Sequence, residues 1–303
     1  MLDKVKKAID KSKSIVEKED NLKIFNDIIC RENILITHDT SGLIPASTLL
    51  NLFLTLKPSS NVTLIPLEVF YSVQAPYYSK PTIIFLTDVK STPRTSDTLR
   101  LLSITHIVFS PKIPPNIPLH RRGFNIVELP ESSSREETIF LEMYTSTLMF
   151  FKTLSTDSRR AKKVYSEVST LDSILEDLLD HYKEECDEVV DLVKSSNEIL
   201  ILYTELLKPI AQYLYNKISL KGKGIPLKIL PLELASEYST QLPSNIVVLR
   251  TSMEEDTFRA FRVRAGLELK SRRLIDISVK TDPLTVPYYA FIILWSILDK
   301  LRI

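Results

Sequence analysis

Residues 33–56 read NILITHDTSGLIPASTLLNLFLTL, and the way this stretch changes character along its length decides the fold. Asn33–Thr37 is a short apolar run rich in β-branched residues, the composition of a fully buried strand. It breaks at a polar loop, His38–Gly42. Pro45 then opens a helix through Phe53 and Leu56, at a first-turn position where its missing N–H would have had no helical partner. Strand, polar loop and helix in that order begin a strand–helix–strand unit, because parallel strands need a crossover connection. The alternation continues in both directions. An amphipathic helix over Asp3–Arg31 precedes it, and strands at Val62–Leu67, Thr82–Leu86, Ile104–Phe109 and Asn125–Leu129 follow, with a short helix at Thr95–Leu102.

The middle of the chain is helical. Arg135–Leu154 forms one helix, and Arg159–Lys194 carries Leu171, Ile174, Leu175, Leu178 and Leu179 as one buried stripe with a solvated face. The alternation then restarts, with strands at Glu198–Tyr203, Pro226–Leu230, Asn245–Thr251 and Leu274–Val279. Helices over Glu205–Ile218, Glu254–Lys270 and Val286–Leu301 separate or close them. This pattern predicts an α/β protein of two lobes, each a parallel sheet flanked by helices in a flavodoxin-like αβα sandwich. The expected division is 1–155 for the N-terminal helix and first lobe, 156–195 for a helical linker and 196–303 for the second lobe.

Composition narrows the function classes. The 303 residues are 44% hydrophobic and 25% charged, with 39 basic against 38 acidic side chains, which excludes disorder and gives no overall basic field for nucleic acid. The basic groups His120-Arg121-Arg122 and Arg259, Arg262 and Arg264 lack the aromatic interleaving of a nucleic-acid surface, so no such partner is expected. Cys30 and Cys186 are too few for a disulfide framework and read as buried or inert thiols. Met1–Asp20 is charged throughout, and the apolar window Val286–Leu298 is shorter than the roughly twenty residues of a membrane span. The expectation is a cytoplasmic protein without a membrane partner. Only 5 glycines occur, against about twenty at ordinary usage, so a glycine-rich phosphate cradle is disfavoured. Few glycines, many loop prolines and abundant Lys and Glu form a thermophile-like pattern.

In open parallel sheets ligands bind outside the carboxyl ends of the strands. Two loops there carry phosphate-type chemistry. His38-Asp39-Thr40-Ser41-Gly42 leads into a helix whose first N–H groups favour an anion, and Lys90-Ser91-Thr92-Pro93-Arg94-Thr95-Ser96-Asp97-Thr98 is dense in hydroxyls with two cations. A hydroxyl-rich segment at a helix start also serves as a plain cap.

These loops resemble those of the sugar isomerase (SIS) family, most closely its archaeal bifunctional phosphoglucose/phosphomannose isomerases. Where that family has GMGGSG, this chain reads Thr37–Gly42 and keeps the final Ser41-Gly42. Where it has SYSGNTxET, this chain reads Lys90–Thr98, with Thr92, Thr95 and Asp97-Thr98 at matching positions and Lys90, Pro93 and Arg94 in place of Ser and Gly-Asn. Arg135 is similar in position to a family arginine, Ile229–Ser236 resembles ILPEAHHNW, and Asp282–Tyr289 resembles the start of NPLATPRIDALK. The resemblance implies two SIS lobes, a homodimer and a phosphosugar held at Ser41, Gly42, Thr92, Thr95 and Arg135. Lys90 and Arg94, which depart from the family, join that set as cations of the kind a phosphate prefers, and no spacing in the chain implies a cofactor or metal.

The departures bear on the reaction. Aldose–ketose isomerisation needs a base and an acid–base group within hydrogen-bond reach of the substrate. The family glutamate falls near Asn216-Lys217, its histidine on Leu234–Ser236 and its lysine near Ile293, so none is kept. The resulting expectation is phosphosugar binding with catalysis lost or much reduced. The alternatives are a relocated acid–base pair drawn from Glu233, His38 and Lys300, or a structural partner subunit using the apolar C-terminal helix. Of the other histidines, His106 reads as a satisfied core residue.

Overall fold

A computed structural model describes residues 1–75, 79–102, 104–114, 124–154, 158–221, 225–235, 237, 242–264 and 273–303. The chain forms two compact units, Leu2–Asp172 and Ser173–Ile303. The first contains α1 (Leu2–Val16), α2 (Glu19–Ile29), β1 (Asn33–His38), α3 (Leu43–Leu56), β2 (Asn61–Pro66), α4 (Leu67–Val69), β3 (Thr82–Phe85), α5 (Thr92–Leu102), β4 (His106–Pro111), β5 (Ile126–Leu129), α6 (Arg135–Thr153) and α7 (Arg159–Ser169). Its five strands are all parallel in the order β2-β1-β3-β4-β5, the flavodoxin-like order, which reverses direction between β1 and β3. The inner strands β1, β3 and β4 are buried along nearly their whole length, which is why they read as unbroken apolar runs, whereas the edge strands β2 and β5 are only partly covered. Their register aligns the ends of β1, β2 and β3, with His38 opposite both Pro66 and Phe85. The segments that follow these strands therefore emerge side by side.

α6 is the unit's central helix. Ser134 caps it by accepting the N–H of Glu137 at 3.2 Å. Glu137 in turn accepts from the Ser133 N–H at 2.7 Å and hydroxyl at 2.9 Å, and from Lys11 Nζ at 2.8 Å. Every residue from Glu136 to Phe150 is buried, since α1, α2 and α3 all pack on it. Among them is Glu142, fully buried, with no hydrogen-bond partner for either oxygen among the described residues. Burial, and secondarily the Asp39 carboxylate, push it well above the ordinary carboxylate range.

Helix α8 (Leu171–His181) spans the division between the units and is followed by α9 (Lys183–Ser195). The second unit then has β6 (Ile199–Tyr203), α10 (Lys208–Lys221), β7 (Leu227–Pro231), α11 (Leu232–Ala235), β8 (Asn245–Thr251), α12 (Glu255–Arg264), β9 (Arg273–Val279) and α13 (Val286–Leu301). Its parallel sheet runs β7-β6-β8-β9, again reversing beside the first strand. At the end of β8, Arg250 makes a two-pronged contact with Asp276 of β9, Nε–Oδ1 and Nη2–Oδ2 both 2.8 Å. Its Nη1 lies 2.7 Å from Glu255, and its guanidinium sits 4.3 Å from the Phe258 ring centre.

The predicted α/β architecture of two parallel-sheet lobes is the one observed, with corrections at the helices. The single helix expected over Asp3–Arg31 is two, because Glu17–Asn21 offers no apolar side chain to hold it against the core. The stretch expected as a helical linker, Arg159–Lys194, consists of the three helices α7, α8 and α9. α5 begins at Thr92 rather than Thr95, with Pro93 tolerated in its first turn. Cys186 is buried, but Cys30 is exposed. Residues 120–122 and the end of the helix expected over Glu254–Lys270 lie outside the described residues. Among the described residues no helix is long and apolar enough to cross a membrane.

Two stability predictions follow from these buried charges. Folded Glu142 keeps its proton at pH values where the unfolded chain has lost it, so the stability it influences falls as pH rises above the ordinary carboxylate range, by up to about 1.4 kcal/mol per pH unit. Glu142→Met removes this penalty: urea denaturation at pH 7 should show a gain of about 1–3 kcal/mol, vanishing toward pH 4. Asp276→Ala leaves a guanidinium that is only 5% exposed with Nε and Nη2 unpaired and Glu255 as its remaining carboxylate partner. A fully buried broken pair costs about 3–5 kcal/mol; with Asp276 itself 27% exposed, a loss of about 2–3 kcal/mol is expected in the same measurement.

Candidate functional site

The segments after β1, β2 and β3 line a cleft of about 750 Å³ in the first unit, at the point where its strand order reverses. The loop after β1 contributes His38, Asp39, Thr40 and Ser41; the turn after β2 contributes Leu67, Glu68 and Tyr71. The segment after β3 contributes Thr87, Asp88, Lys90, Ser91 and Arg94, and the start of α6 adds Arg135.

Asp39 organises this end of the sheet. Its Oδ1 accepts the N–H groups of Ser41 at 3.1 Å and Gly42 at 2.8 Å, at the start of α3. The Thr87 hydroxyl donates to both carboxylate oxygens, 2.7 Å to Oδ1 and 3.0 Å to Oδ2, and the Asp88 N–H donates to Oδ2 at 2.9 Å. One side chain thus satisfies the two amides that lead into α3 and bridges the β1 loop to the β3 loop. Gly42 makes this packing possible. A Cβ there would lie 2.9 Å from the Phe85 carbonyl oxygen and 3.1 Å from Asp39 Oδ1.

The cations line the cleft with partners of modest strength. Arg135 lies 3.8 Å from Asp88, with both side chains substantially exposed. Arg94 stacks over Tyr71 at 4.4 Å, a cation–π contact. Tyr71 is hydrogen-bonded to Thr95, and burial pushes its hydroxyl up to about 12, so it remains a phenol. His38 Nδ1 is 2.6 Å from the Asp39 carbonyl oxygen; a carbonyl only accepts, so Nδ1 carries the proton and Nε2 is an acceptor. Burial holds His38 below the usual histidine range, against the weaker pull of the Asp39 carbonyl and carboxylate, so at neutral pH it is uncharged.

The candidate residues from the sequence divide clearly. Ser41, Lys90, Arg94, Arg135 and His38 line the cleft together. Thr92 and Thr95 do not: both are fully buried on the core side of α5, and Thr95 donates to the Ser91 carbonyl at 2.8 Å. Gly42 acts through its backbone. Glu233 and Lys300 belong to the second unit, Glu233 exposed on α11 and Lys300 paired with Asp187 at 2.7 Å. His106 is the satisfied core residue expected, donating to the Ile104 carbonyl at 2.6 Å and accepting from the Asn125 N–H at 3.3 Å. Sequence reading passed over Asp39, Thr87 and Tyr71. Asp39 carried a readable signal in part, since an aspartate side chain in a loop commonly accepts backbone amides two and three residues on. Among the described residues no group of His, Cys, Asp and Glu is placed to hold a metal ion.

No family profile and no curated protein matches the chain by sequence. Solved structures match it in fold. The C-terminal domain of glucosamine-fructose-6-phosphate aminotransferase from Francisella tularensis superposes with a TM-score of 0.68 at 12% identity, over 99% of this chain and 94% of that one. Tagatose-6-phosphate ketose/aldose isomerase from Escherichia coli gives 0.64 at 11% identity, over 99% and 90%. A candidate enzyme of the same description from Clostridium novyi NT gives 0.69 at 14%, over 99% and 87%. The two-lobed fold is thus one that these three proteins share.

Gly42→Ala is expected to destabilise the protein by about 1–3 kcal/mol, because the contact is with rigid backbone of β3. A denaturant midpoint equal to that of the unaltered protein would show that the loop gives way freely.

Proposed function

We propose that the cleft of the first unit binds a phosphosugar and that the chain does little or no aldose–ketose isomerisation. The observation that carries this is the meeting of Lys90, Arg94 and Arg135 with the Ser41 hydroxyl in one cleft, at the strand-order reversal of a fold shared with phosphosugar isomerases. A phosphate dianion prefers several cationic donors converging on it, and charge-assisted hydrogen bonds to it are roughly twice as strong as neutral ones. The loss of catalysis is supported by what stands in place of the acid–base groups. Ile293, near the expected lysine, is 1% exposed inside α13, and Lys217, near the expected glutamate, lies over the Tyr213 ring at 5.3 Å. The titratable groups that do line the cleft, uncharged His38, the Tyr71 phenol and the Asp39, Glu68 and Asp88 carboxylates, stand at none of the positions expected for the family's base and acid–base group. Glucose, mannose and fructose 6-phosphates are the first ligands to test, given the similarity to bifunctional phosphoglucose/phosphomannose isomerases. A cytoplasmic homodimer belongs to the same reading.

The test is a thermal-shift titration with these sugar phosphates. Saturation at a hundred times the dissociation constant adds about 2.7 kcal/mol to the folded state, enough to move the melting point by a few degrees. Arg94→Ala or Lys90→Ala should weaken binding about tenfold each. Absence of any sugar-phosphate response in the unaltered protein would overturn the ligand, and turnover abolished by His38→Ala would overturn the loss of catalysis.

A further inference from the structure

The loop between β1 and α3 has the donors of an anion site, but they are already taken. Two amides of the loop just before α3, one hydroxyl and one amide from the neighbouring strand end all point at the Asp39 carboxylate, at 2.7–3.1 Å. That carboxylate receives five contacts on its two oxygens, with both oxygens of Thr87's approach counted, so it has little left to offer a ligand. Oxygen for oxygen, it occupies the space that an external oxyanion would fill, and it brings a negative charge that repels one. We propose that Asp39 is a specificity-determining residue: a built-in anion that closes the α3 end of the cleft to phosphate, so that a ligand's phosphate is received instead by Lys90, Arg94 and Arg135. This rests on the reading of the cleft as a phosphosugar site.

Two physical consequences set the assignment apart from simple capping. Holding the loop before α3 needs only the Ser41 and Gly42 amides, a turn that a serine hydroxyl also makes, more weakly. The Thr87 and Asp88 donors belong to a different strand end, and only an acceptor with two oxygens can hold all four donors at once. Replacing Asp39 by serine keeps an acceptor for that turn, while it frees the Thr87 and Asp88 donors and removes the charge. Replacing it by asparagine removes the charge but leaves the volume filled.

Isothermal titration of the full chain with inorganic phosphate tests this. Asp39→Ser is expected to bind phosphate about tenfold or more tightly than the unaltered protein, and Asp39→Asn by no more than about twofold. Adding Thr87→Val to Asp39→Ser should remove most of the gain. Equal phosphate affinity in Asp39→Ser and the unaltered protein would overturn the assignment, as would an equal gain in Asp39→Asn, which would trace to charge alone. Circular dichroism and the melting point establish that each variant is folded. Should Asp39→Ser not fold, Asp39→Gly with 50 mM sulfate present during refolding replaces it, with the same expected and overturning outcomes. A failure of sugar-phosphate binding by the unaltered protein leaves this result readable, because the gain is measured with phosphate in the variant.

Discussion

A single carboxylate ties together the part of the molecule that carries its chemistry. Asp39 stands just past β1, takes the Ser41 and Gly42 amides that lead into α3 and reaches across to Thr87 and Asp88 beyond β3. The strand-order reversal between β1 and β3 obliges their connections to depart in different directions, which opens a crevice there in any fold of this kind. Left alone, the crevice would expose several unpaired amides. Asp39 satisfies them from within, and Gly42 lets α3 come close enough for the arrangement to hold, with Phe85 forming the floor. The cationic wall is placed by the same contact, since Asp88 is both the residue whose amide Asp39 holds and the partner of Arg135. Asp88 also accepts the Lys90 N–H at 3.0 Å, fixing the turn that leads into α5.

The second unit has a local capping box in place of a carboxylate that bridges two strand ends. After β8, Glu254 accepts the N–H of Thr251 at 2.9 Å and its hydroxyl at 2.8 Å, while the Thr251 hydroxyl accepts the Met253 N–H at 3.2 Å. An acidic side chain again sits at a helix start beyond a central strand. The two units differ in what surrounds it. In the first, cations line an open cleft. In the second, Arg250 is consumed by Asp276, Glu255 and the Phe258 ring. Charge that could have met a ligand is there spent on joining β8 to β9.

Much of this fold was legible in the sequence because its inner strands are apolar on both faces. Ile34–Thr37, Ile83–Phe85 and Ile199–Tyr203 admit no other reading once the intervening helices are recognised, and the strand ends then mark where a site must lie. The helix boundaries were less legible. Thr92, Thr95 and Ser96 looked like a ligand loop because hydroxyls are common in loops, yet they occupy the buried face of α5, where the Thr95 hydroxyl returns to a carbonyl of its own turn. Hydroxyl content records polarity but not direction, and only the helical period tells which face is turned inward. Asp39 was passed over for a related reason: its importance lies in Thr87 and Asp88, residues 48 and 49 positions away, and no local pattern announces such a contact.

The scarcity of glycine links these features. A cradle built from backbone amides needs residues without side chains so that a phosphate can approach the chain, and it binds with neutral, pre-organised donors. Of the five glycines here, Gly42 is the one within the described residues, and its missing side chain serves the approach of α3 to β3 rather than of a ligand. With the Ser41 and Gly42 amides taken by Asp39, the proposed anion recognition passes to long side chains. Such a site gains charge and loses rigidity: Lys90, Arg94 and Arg135 each give up rotamer freedom on binding, and Arg135 must be drawn from Asp88. It is also far more sensitive to ionic strength than a backbone cradle, since exposed charges are screened within about 8 Å at physiological salt. The chain therefore keeps the crevice that its fold produces and fills the inner end with its own acid, leaving the outer wall to do the recognition.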